Sequence, residues 1–272
     1  MRFVVATWNI NSVRLRLPLV KRFLARYAPD VLCLQETKCP DDKFPREPFA
    51  EIGYAHVEIY GQKGYHGVAT VSRHPIAGAR RENFCRKEDC RHLAVELGAA
   101  AGLARPITIH NFYVPAGGDE PDPEVNEKFA HKLAFLDELA VHAVSIDAKS
   151  GARSILVGDL NVAPLEHDVW SHKQLLKIVS HTPVEVDLFG RLQASLDWID
   201  VPRRFVPSDE KLYSWWSYRN NDWRASNRGR RLDHILATPA LSGVLKSHRI
   251  DADLRDWEKS SDHVPVLATF EF

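Results

Sequence analysis

Nine short runs rich in Val, Ile and aromatic residues recur along the chain: Phe3 to Trp8, Val31 to Leu34, His56 to Tyr60, Gly67 to Val71, Leu93 to Leu97, Ile107 to Val114, Ile155 to Val157, Leu232 to Ala237 and Val264 to Phe270. Gly, Pro, Asn or Asp bound them, which is the signature of strands. Three intervening stretches, Leu17 to Tyr27, Asn126 to Ala148 and Leu165 to Ile178, carry helical periodicity. In the middle one Phe129, Leu133, Leu136, Ala140 and Ala143 fall on one face. Strands this numerous, interleaved with helices, predict a mixed α/β (α+β) protein with sheets buried under helices. A weak internal echo accompanies the pattern. Val4-Val5-Ala6-Thr7-Trp8-Asn9 and Ile155-Leu156-Val157-Gly158-Asp159-Leu160-Asn161 both end an apolar strand on a polar cluster. Two halves meeting at one site would give this, and so would coincidence.

With 272 residues, 44% hydrophobic and 26% charged, the chain has apolar surface enough for a sizeable core. No Gly/Ser-rich or Pro-rich linker divides it, and its notable polar residues extend from Asn9 to His263, so residues 1–272 are expected to form a single domain. Lys plus Arg equals Asp plus Glu at 36 each, so net charge does not announce a polyanionic partner. Locally, Arg203, Arg204, Lys211, Arg219, Arg224, Arg228, Arg230 and Arg231 stand against only Asp209, Glu210 and Asp222. That segment is either a phosphate-facing strip or a solvated loop. Cys33, Cys39, Cys85 and Cys90 have neither Cys-x-x-Cys nor zinc-finger spacing, so neither a metal knuckle nor a disulfide framework is indicated. The opening Met-Arg-Phe-Val-Val runs directly into a strand without signal-peptide regions, and no apolar stretch approaches membrane-spanning length. The expectation is a reduced, cytoplasmic setting without membrane association.

Five segments place acids, amides or His at strand ends: Trp8-Asn9-Ile10-Asn11, Leu34-Gln35-Glu36-Thr37, Gly158-Asp159-Leu160-Asn161, Leu232-Asp233-His234 and Ser261-Asp262-His263. Singly, each has an ordinary explanation: Asn9 shapes a turn, Glu36 sits on a surface, Asp159 caps a helix. Five together suit hydrolysis of a phosphodiester. A hard cation such as Mg²⁺ wants oxygen ligands and keeps several waters, and Asn9, Glu36 and Asp262 can supply such oxygens. A carboxylate beside an amide, as in Asp159 and Asn161, can hold and deprotonate an attacking water. An Asp paired with His fixes the imidazole and stabilises its charge near a phosphoryl oxygen, and Asp233 and His263 are the available pair. His-Glu-x-x-His, Gly-x-Ser-x-Gly and the P-loop are all absent, which removes the commonest competing mechanisms.

Seven blocks in order resemble the signatures of exonuclease III-type apurinic/apyrimidinic (AP) endonucleases. They are Trp8 to Arg14, Leu34 to Lys38, Gly64 to Ala69, Gly158 to Pro164, Asn227-Arg228-Gly229, Arg231 to Leu236 and Ser261 to Val266, and they span nearly the whole chain. The resemblance implies a DNase I-like four-layer α/β/β/α sandwich, with two sheets face to face and helices outside. It implies a Mg²⁺-dependent DNA repair nuclease, with Mn²⁺ able to substitute, acting as a monomer on double-stranded DNA at abasic sites and 3′ ends. Glu36 then matches the principal metal ligand, with Asn9, Asp262, Asp159 and Asn161 around the ion. Asp159 matches the water-activating acid/base, Asn161 the orienting amide, Asp233 the partner of the histidine and His263 the imidazole on the scissile phosphate. Tyr113 matches a tyrosine whose hydroxyl reaches the phosphate; the residue pattern alone reads it as core or strand edge. Arg14, Tyr65, Trp215, Arg219, Asn227, Arg228 and Arg230 fall at positions facing DNA.

Two departures stand out. Ala116 occupies a place where the family often has Asn or Gln, leaving Gly117 and Gly118 to offer backbone N–H groups. Arg230 stands where relatives usually carry Leu or Trp, and a guanidinium there must pair with an acid, stack on an aromatic such as Trp215, or turn outward to a phosphate. In Tyr213-Ser214-Trp215-Trp216-Ser217-Tyr218-Arg219, adjacent tryptophans on a strand point to opposite faces, so at most one enters the core from a half-buried sheet. The resemblance puts Trp215 at an apolar slot for a sugar without a base, which flips out without unstacking one. Phosphodiesterases and phosphatases of the same superfamily acting on lipid or inositol phosphates are the alternative reading, followed by a binding module without catalysis and a nonspecific endonuclease.

Overall fold

Strand β1 (Arg2–Asn9) shows how the sequence feeds two cores at once. Successive strand side chains point to opposite faces. Val4, Ala6 and Trp8 pack with Val20, Phe23 and Leu24 of helix α1 (Val13–Tyr27), while Phe3 and Val5 join an inner cluster with residues of a second sheet. The structure, a computed structural model, describes residues 1–146, 151–220 and 222–272.

The first sheet has six strands. In spatial order they are β13 (Leu245–Ile250), β14 (Val266–Glu271), β1, β2 (Val31–Gln35), β4 (Val68–Ser72) and β3 (His56–Tyr60). The second sheet is also six-stranded: β5 (Gly78–Arg81), β6 (His92–Leu97), β7 (Ile107–Tyr113), β8 (Ser154–Asp159), β12 (Asp233–Ala237) and β9 (Ile199–Asp200). Each has a single parallel pair, β1 with β2 and β7 with β8, and is otherwise antiparallel. Reading β13-β14-β1-β2-β4-β3 against β9-β12-β8-β7-β6-β5 gives the same sequence of pairings. The echo between 4–9 and 155–161 therefore marks equivalent strands, β1 and β8.

Val5, Val31, Cys33 and Val266 of the first sheet meet Val95, Ile109, Val157 and Ile235 of the second in the middle cluster. On the far side of the second sheet, Phe112, Leu156 and Leu236 lie under Phe135, Leu136 and Leu139 of α3 (Glu127–Ile146) and Leu188, Phe189 and Leu192 of α5 (Pro183–Ser195). Helix, sheet, sheet, helix is the expected four-layer order.

Short helices fill the connections: α2 (Arg46–Ala50), α4 (His172–Leu175), α6 (Val201–Phe205) and α7 (Trp223–Ser226). A two-stranded ribbon, β10 (Trp215–Trp216) with β11 (Gly229–Arg230), sits beside the sheets. Trp216 enters the outer cluster of the first sheet and Trp215 stays half-buried, as opposite-facing neighbours should.

The stretch from Leu165 to Ile178 is not the single helix its periodicity predicts. It breaks into a 3-10 turn at Glu166–Asp168 and the short α4, because Val169 instead bridges Arg230 and ties the segment to the ribbon. The sequence reading passed over α5, although Pro183 at its first turn and Glu185, which accepts from the Thr182 N–H, mark its start. Helix α1 starts before Leu17 and carries Pro18 on an exposed face. Ala148, the predicted end of the middle helix, lies outside the described residues.

Candidate active site

Strand ends deliver the polar residues to one place. Asn9 closes β1 opposite Gln35, the last residue of β2, and Glu36 follows in a left-handed backbone conformation, φ 49°. From the other sheet, Tyr113 closes β7 opposite Asp159, the last residue of β8, and Asp233 opens β12 opposite the same Asp159. Asn161 is also left-handed, φ 54°. Non-glycine residues held there cost on the order of 1–3 kcal/mol each and persist where surrounding structure enforces them. Gly158 is needed for a different reason. With φ 144°, a Cβ would sit 1.9 Å from the Phe112 carbonyl oxygen of the neighbouring strand.

A continuous hydrogen-bond network joins these ends. Asn9 Nδ2 donates to Glu36 Oε1 and to Asp159 Oδ2, both at 2.9 Å. With Nδ2 turned to both carboxylates, the Asn9 oxygen faces the Asn11 N–H instead, so serving as an oxygen ligand beside Glu36 would require the amide to turn over. Tyr113, buried, donates its hydroxyl to Glu36 Oε1 at 2.9 Å. Asn161 donates from its amide to Asp159 Oδ2 at 3.2 Å and to the Val114 carbonyl at 2.9 Å, while its N–H reaches Asp159 Oδ1 at 3.0 Å. His263 Nδ1 lies 2.8 Å from Asp233 Oδ2, and its Nε2 3.7 Å from Asp159 Oδ2. The indole of Trp8 donates to the His263 carbonyl at 3.0 Å. Asp262 accepts from the Trp215 indole at 3.0 Å, with Asn11 Nδ2 at 3.4 Å from its other oxygen.

Burial dominates the electrostatics. It pushes the Asp159 carboxyl up to about 7, with His263 pulling it down and Asp233 adding to the rise. Burial opposes charge on His263, but Asp233 and then Asp159 outweigh it and raise the imidazole to about 10. Both acids thus favour the imidazolium form of His263. Glu36 stays below the usual range despite burial because Lys38, 2.9 Å away, and the Asn9 amide stabilise its charge.

Asp159, Asp233 and His263 bring ligand atoms within 4.8 Å of one another, and Glu36 joins Asp159 through Asn9. Lys38 compensates Glu36, whereas the buried Asp159 and Asp233 share one cation, His263, which lies nearer Asp233 (2.8 Å) than Asp159 (3.7 Å). A site built from carboxylate and amide groups, with a carboxylate pushed up by burial, fits a hard divalent cation.

The residues matched to DNA contacts differ in exposure and in what they touch. Arg14, Tyr65, Arg219, Asn227 and Arg228 are exposed, Tyr65 at 72%. Arg228 stacks over Trp170, 4.7 Å from its ring centre. Asn227 is partly structural, since its side-chain oxygen accepts from the Trp216 indole at 3.1 Å. Trp215 packs beside Val169 and Leu232. Arg230 lies over the Trp215 ring at 5.2 Å and donates to the Val179 carbonyl at 2.9 Å and Ser180 Oγ at 2.8 Å. Of its three options, it has taken the aromatic stack. The basic segment 203–231 is neither one phosphate-facing strip nor one solvated loop. Arg231 is fully buried between Asp168 and Asp200, Arg203 also reaches Asp168, and Arg224 pairs with Asp253 and Asp256. Arg204, Lys211, Arg219 and Arg228 remain exposed.

Sequence reasoning missed several supports. Ser214 Oγ donates to Asp233 Oδ2 at 2.6 Å and accepts two backbone N–H groups, fixing the partner of His263. Lys132, fully buried with Glu185 at 2.5 Å, donates to the Asn161 carbonyl at 2.7 Å and the Ala116 carbonyl at 3.3 Å. Gln35 and Asn111 bond across the two sheets at 2.7 Å just behind the site. Arg91 lies over the Tyr113 ring at 4.9 Å. Gln35, Lys38 and Ser214 stood inside runs already singled out, though for other residues, whereas Lys132 and Arg91 carry no local signal.

Comparison with known proteins bears on the fold and the family. The structure superposes with TM-score 0.89 on an AP endonuclease from Archaeoglobus fulgidus, with 99% of this chain and all of that one covered, at 32% identity. A 3′-5′ exonuclease from Neisseria meningitidis gives 0.88 at 31% identity, with 99% of this chain and all of that one covered. In sequence, exodeoxyribonuclease III of Haemophilus influenzae is 32% identical over the full length of both chains. Residues 6–263, which include every strand end described above, match the model of one family. With two equivalent sheets meeting at Asn9 and Asp159 and that match across their whole span, the chain belongs to the endonuclease/exonuclease/phosphatase family.

Proposed function

We infer that this chain is a metal-dependent DNA repair nuclease of exonuclease III type, hydrolysing phosphodiester bonds with 3′-to-5′ exodeoxyribonuclease and AP endonuclease activity. One observation carries the reading. Asp159 is a buried carboxylate raised to about 7, held by the amides of Asn9 and Asn161 and facing a histidine that Asp233 keeps charged. A general base works best with a pKa near the operating pH.

In this reading Asp159 accepts the proton of the attacking water, which the Asn161 amide orients. His263, fixed through Nδ1 by Asp233, presents Nε2 to a phosphoryl oxygen and stabilises charge developing there. Tyr113 offers its hydroxyl to the same phosphate or the leaving oxygen. Glu36, with Asn9, Asp159, Asn161 and Asp262 around it, would hold Mg²⁺, with Mn²⁺ as a substitute. When bound, the ion neutralises phosphate charge and acts as a Lewis acid.

Trp215, beside Val169 and Leu232, supplies an apolar wall that suits a base-free deoxyribose. Arg14, Tyr65, Arg219, Asn227 and Arg228 would track the backbone of double-stranded DNA around an abasic site or a 3′ end, with Arg230 tuning the slot from behind Trp215. We take residues 1–272 to work as a single domain, monomeric and cytoplasmic; the four unpaired cysteines suit a reducing setting. No helix among the described residues is long and apolar enough to cross a membrane.

The test gives the purified protein four end-labelled DNAs with Mg²⁺: abasic duplex, blunt duplex, 3′-phosphate and single strand. Incision at the abasic site and shortening from 3′ ends, both abolished by EDTA and restored by Mg²⁺ or Mn²⁺, are expected. Failure to cut any of the four, or full activity after exhaustive chelation, would overturn the reading.

A further inference from the structure

The outer face of the second sheet carries a cluster that the nuclease reaction does not use. Glu82 follows β5, His92 opens β6 and His142 lies in α3. Their ligand atoms fall within 4.8 Å of one another, and His142 Nε2 is 3.0 Å from a Glu82 oxygen. Tyr113 and Asn111 point from β7 toward the first sheet, whereas His110 and Phe112 point the opposite way, to the side where His92 stacks on Phe112 at 4.2 Å. The cluster and the nuclease site are thus on opposite faces of one sheet. We propose that Glu82, His92 and His142 bind a divalent transition-metal ion of the zinc class.

The strongest sign is on His92. This side chain has no exposure; its Nε2 lies 3.1 Å from His110 Nδ1, and its Nδ1 has no hydrogen-bond partner among the described residues. A buried polar atom left unmatched is costly, and an apolar residue would fill the same space more cheaply. Coordination through Nδ1 removes the mismatch and fixes the proton. Nε2 then carries the hydrogen and donates to His110, the outer partner that metal-ligating histidines almost always have.

Protonation favours the same outcome. Burial pushes all three imidazoles down, His92 well below its ordinary value and His110 to about 3, so their nitrogens keep lone pairs at neutral pH. Glu82, together with Glu138 one turn before His142, supplies negative charge, which Arg80 partly opposes. Two imidazoles and one carboxylate suit Zn²⁺ and its neighbours, not Mg²⁺, which prefers oxygen. Glu82 and His142 keep 34% and 17% side-chain exposure, leaving a route for the ion and room for a water ligand. Bound there, the ion would clamp α3 to the sheet edge.

The full chain, stripped with chelator and held in excess Mg²⁺ to saturate the oxygen site, is titrated with Co²⁺ while its visible d–d bands are recorded. The expected result is one equivalent bound with bands of tetrahedral intensity, unchanged in Glu36→Gln and weakened at least about tenfold in affinity in both Glu82→Gln and His142→Ala. Both replaced side chains reach solvent, and far-UV circular dichroism checks that the variants fold. Zn²⁺ should displace Co²⁺ and raise the melting temperature of the wild type but not of His142→Ala. The proposal is overturned if no bands develop, if they vanish in Glu36→Gln, or if Glu82→Gln and His142→Ala bind Co²⁺ as tightly as the wild type.

Discussion

Asn9 and Asp159 end equivalent strands of two different sheets, and the amide of the one donates to the carboxylate of the other at 2.9 Å. The chemistry therefore sits on the seam between two similar halves, with an amide on one side and a base on the other. Division of labour between the halves makes each role separable by mutation.

Asp159→Asn keeps the volume and removes the base, so kcat/KM on abasic duplex should fall on the order of a hundredfold or more with the melting temperature little changed. Asp233→Asn should be comparably damaging, because His263 loses the charge that holds it protonated and oriented. Activity within about threefold of wild type for both variants would refute the assigned roles.

Arg230→Leu removes the guanidinium from behind Trp215 and leaves Glu36, Asp159 and His263 untouched. The ratio of abasic-site incision to 3′-end digestion should change, while metal dependence and the pH profile stay. Matched kcat/KM values on abasic and intact duplexes decide it. A constant ratio means that Arg230 only braces the loop at Val179 and Ser180.

Lys132→Met strands Glu185 in the interior and releases the carbonyl of Asn161. Breaking one side of a buried pair costs about 3–5 kcal/mol. Replacing both, as Lys132→Met with Glu185→Gln, should recover part of that loss in urea unfolding, since no unpaired charge remains. A double variant less stable than the sum of the singles would show that the pair is not the relevant interaction.

His234 gives a pH dependence of stability. Burial, then Arg231, depresses its pKa to about 4, against opposition from Asp200. An unfolded histidine titrates near about 6.5, so below that pH the unfolded state binds the extra proton and the folded state is disfavoured. Stability should drop by roughly 1.4 kcal/mol per pH unit between those values, on the order of 3 kcal/mol in all. His234→Gln retains a donor for the Val162 carbonyl and should flatten the slope by that amount. Parallel unfolding curves at pH 7, 6 and 5 for the two proteins would remove His234 as the cause.

The long strands were legible because burial on both faces writes an unbroken apolar run, as Ile155-Leu156-Val157 does in Ser154–Asp159. The polar residues at their ends were legible because each interrupts such a run. Two-residue strands such as Gly229–Arg230 were not, since nothing in a dipeptide has a period. The break between Leu165 and Ile178 was hidden for a related reason: Val169 suits a helical pattern locally, and only its long-range bridge to Arg230 shows otherwise. Lys132 and Glu185 carry no sequence signal of their pairing, which joins residues 53 apart and is a property of how α3 packs on α5. Arg230 was legible through the resemblance and its chemistry together: where relatives carry Leu or Trp, a guanidinium had few places to go, and the Trp215 ring was one of them.

The Trp8 indole reaches the His263 carbonyl across 255 residues of chain, and β1 pairs along one edge with β14. Loop closure on that scale is slow and is completed only when the last strand is present. A chain still emerging from the ribosome, or one cut before Ser261, has neither β14 to pair with β1 nor His263 to set beside Asp159 and Asp233. The strand that closes the first sheet and the histidine of the site thus come from one segment, Ser261 to Glu271, so the site is completed only with that segment in place.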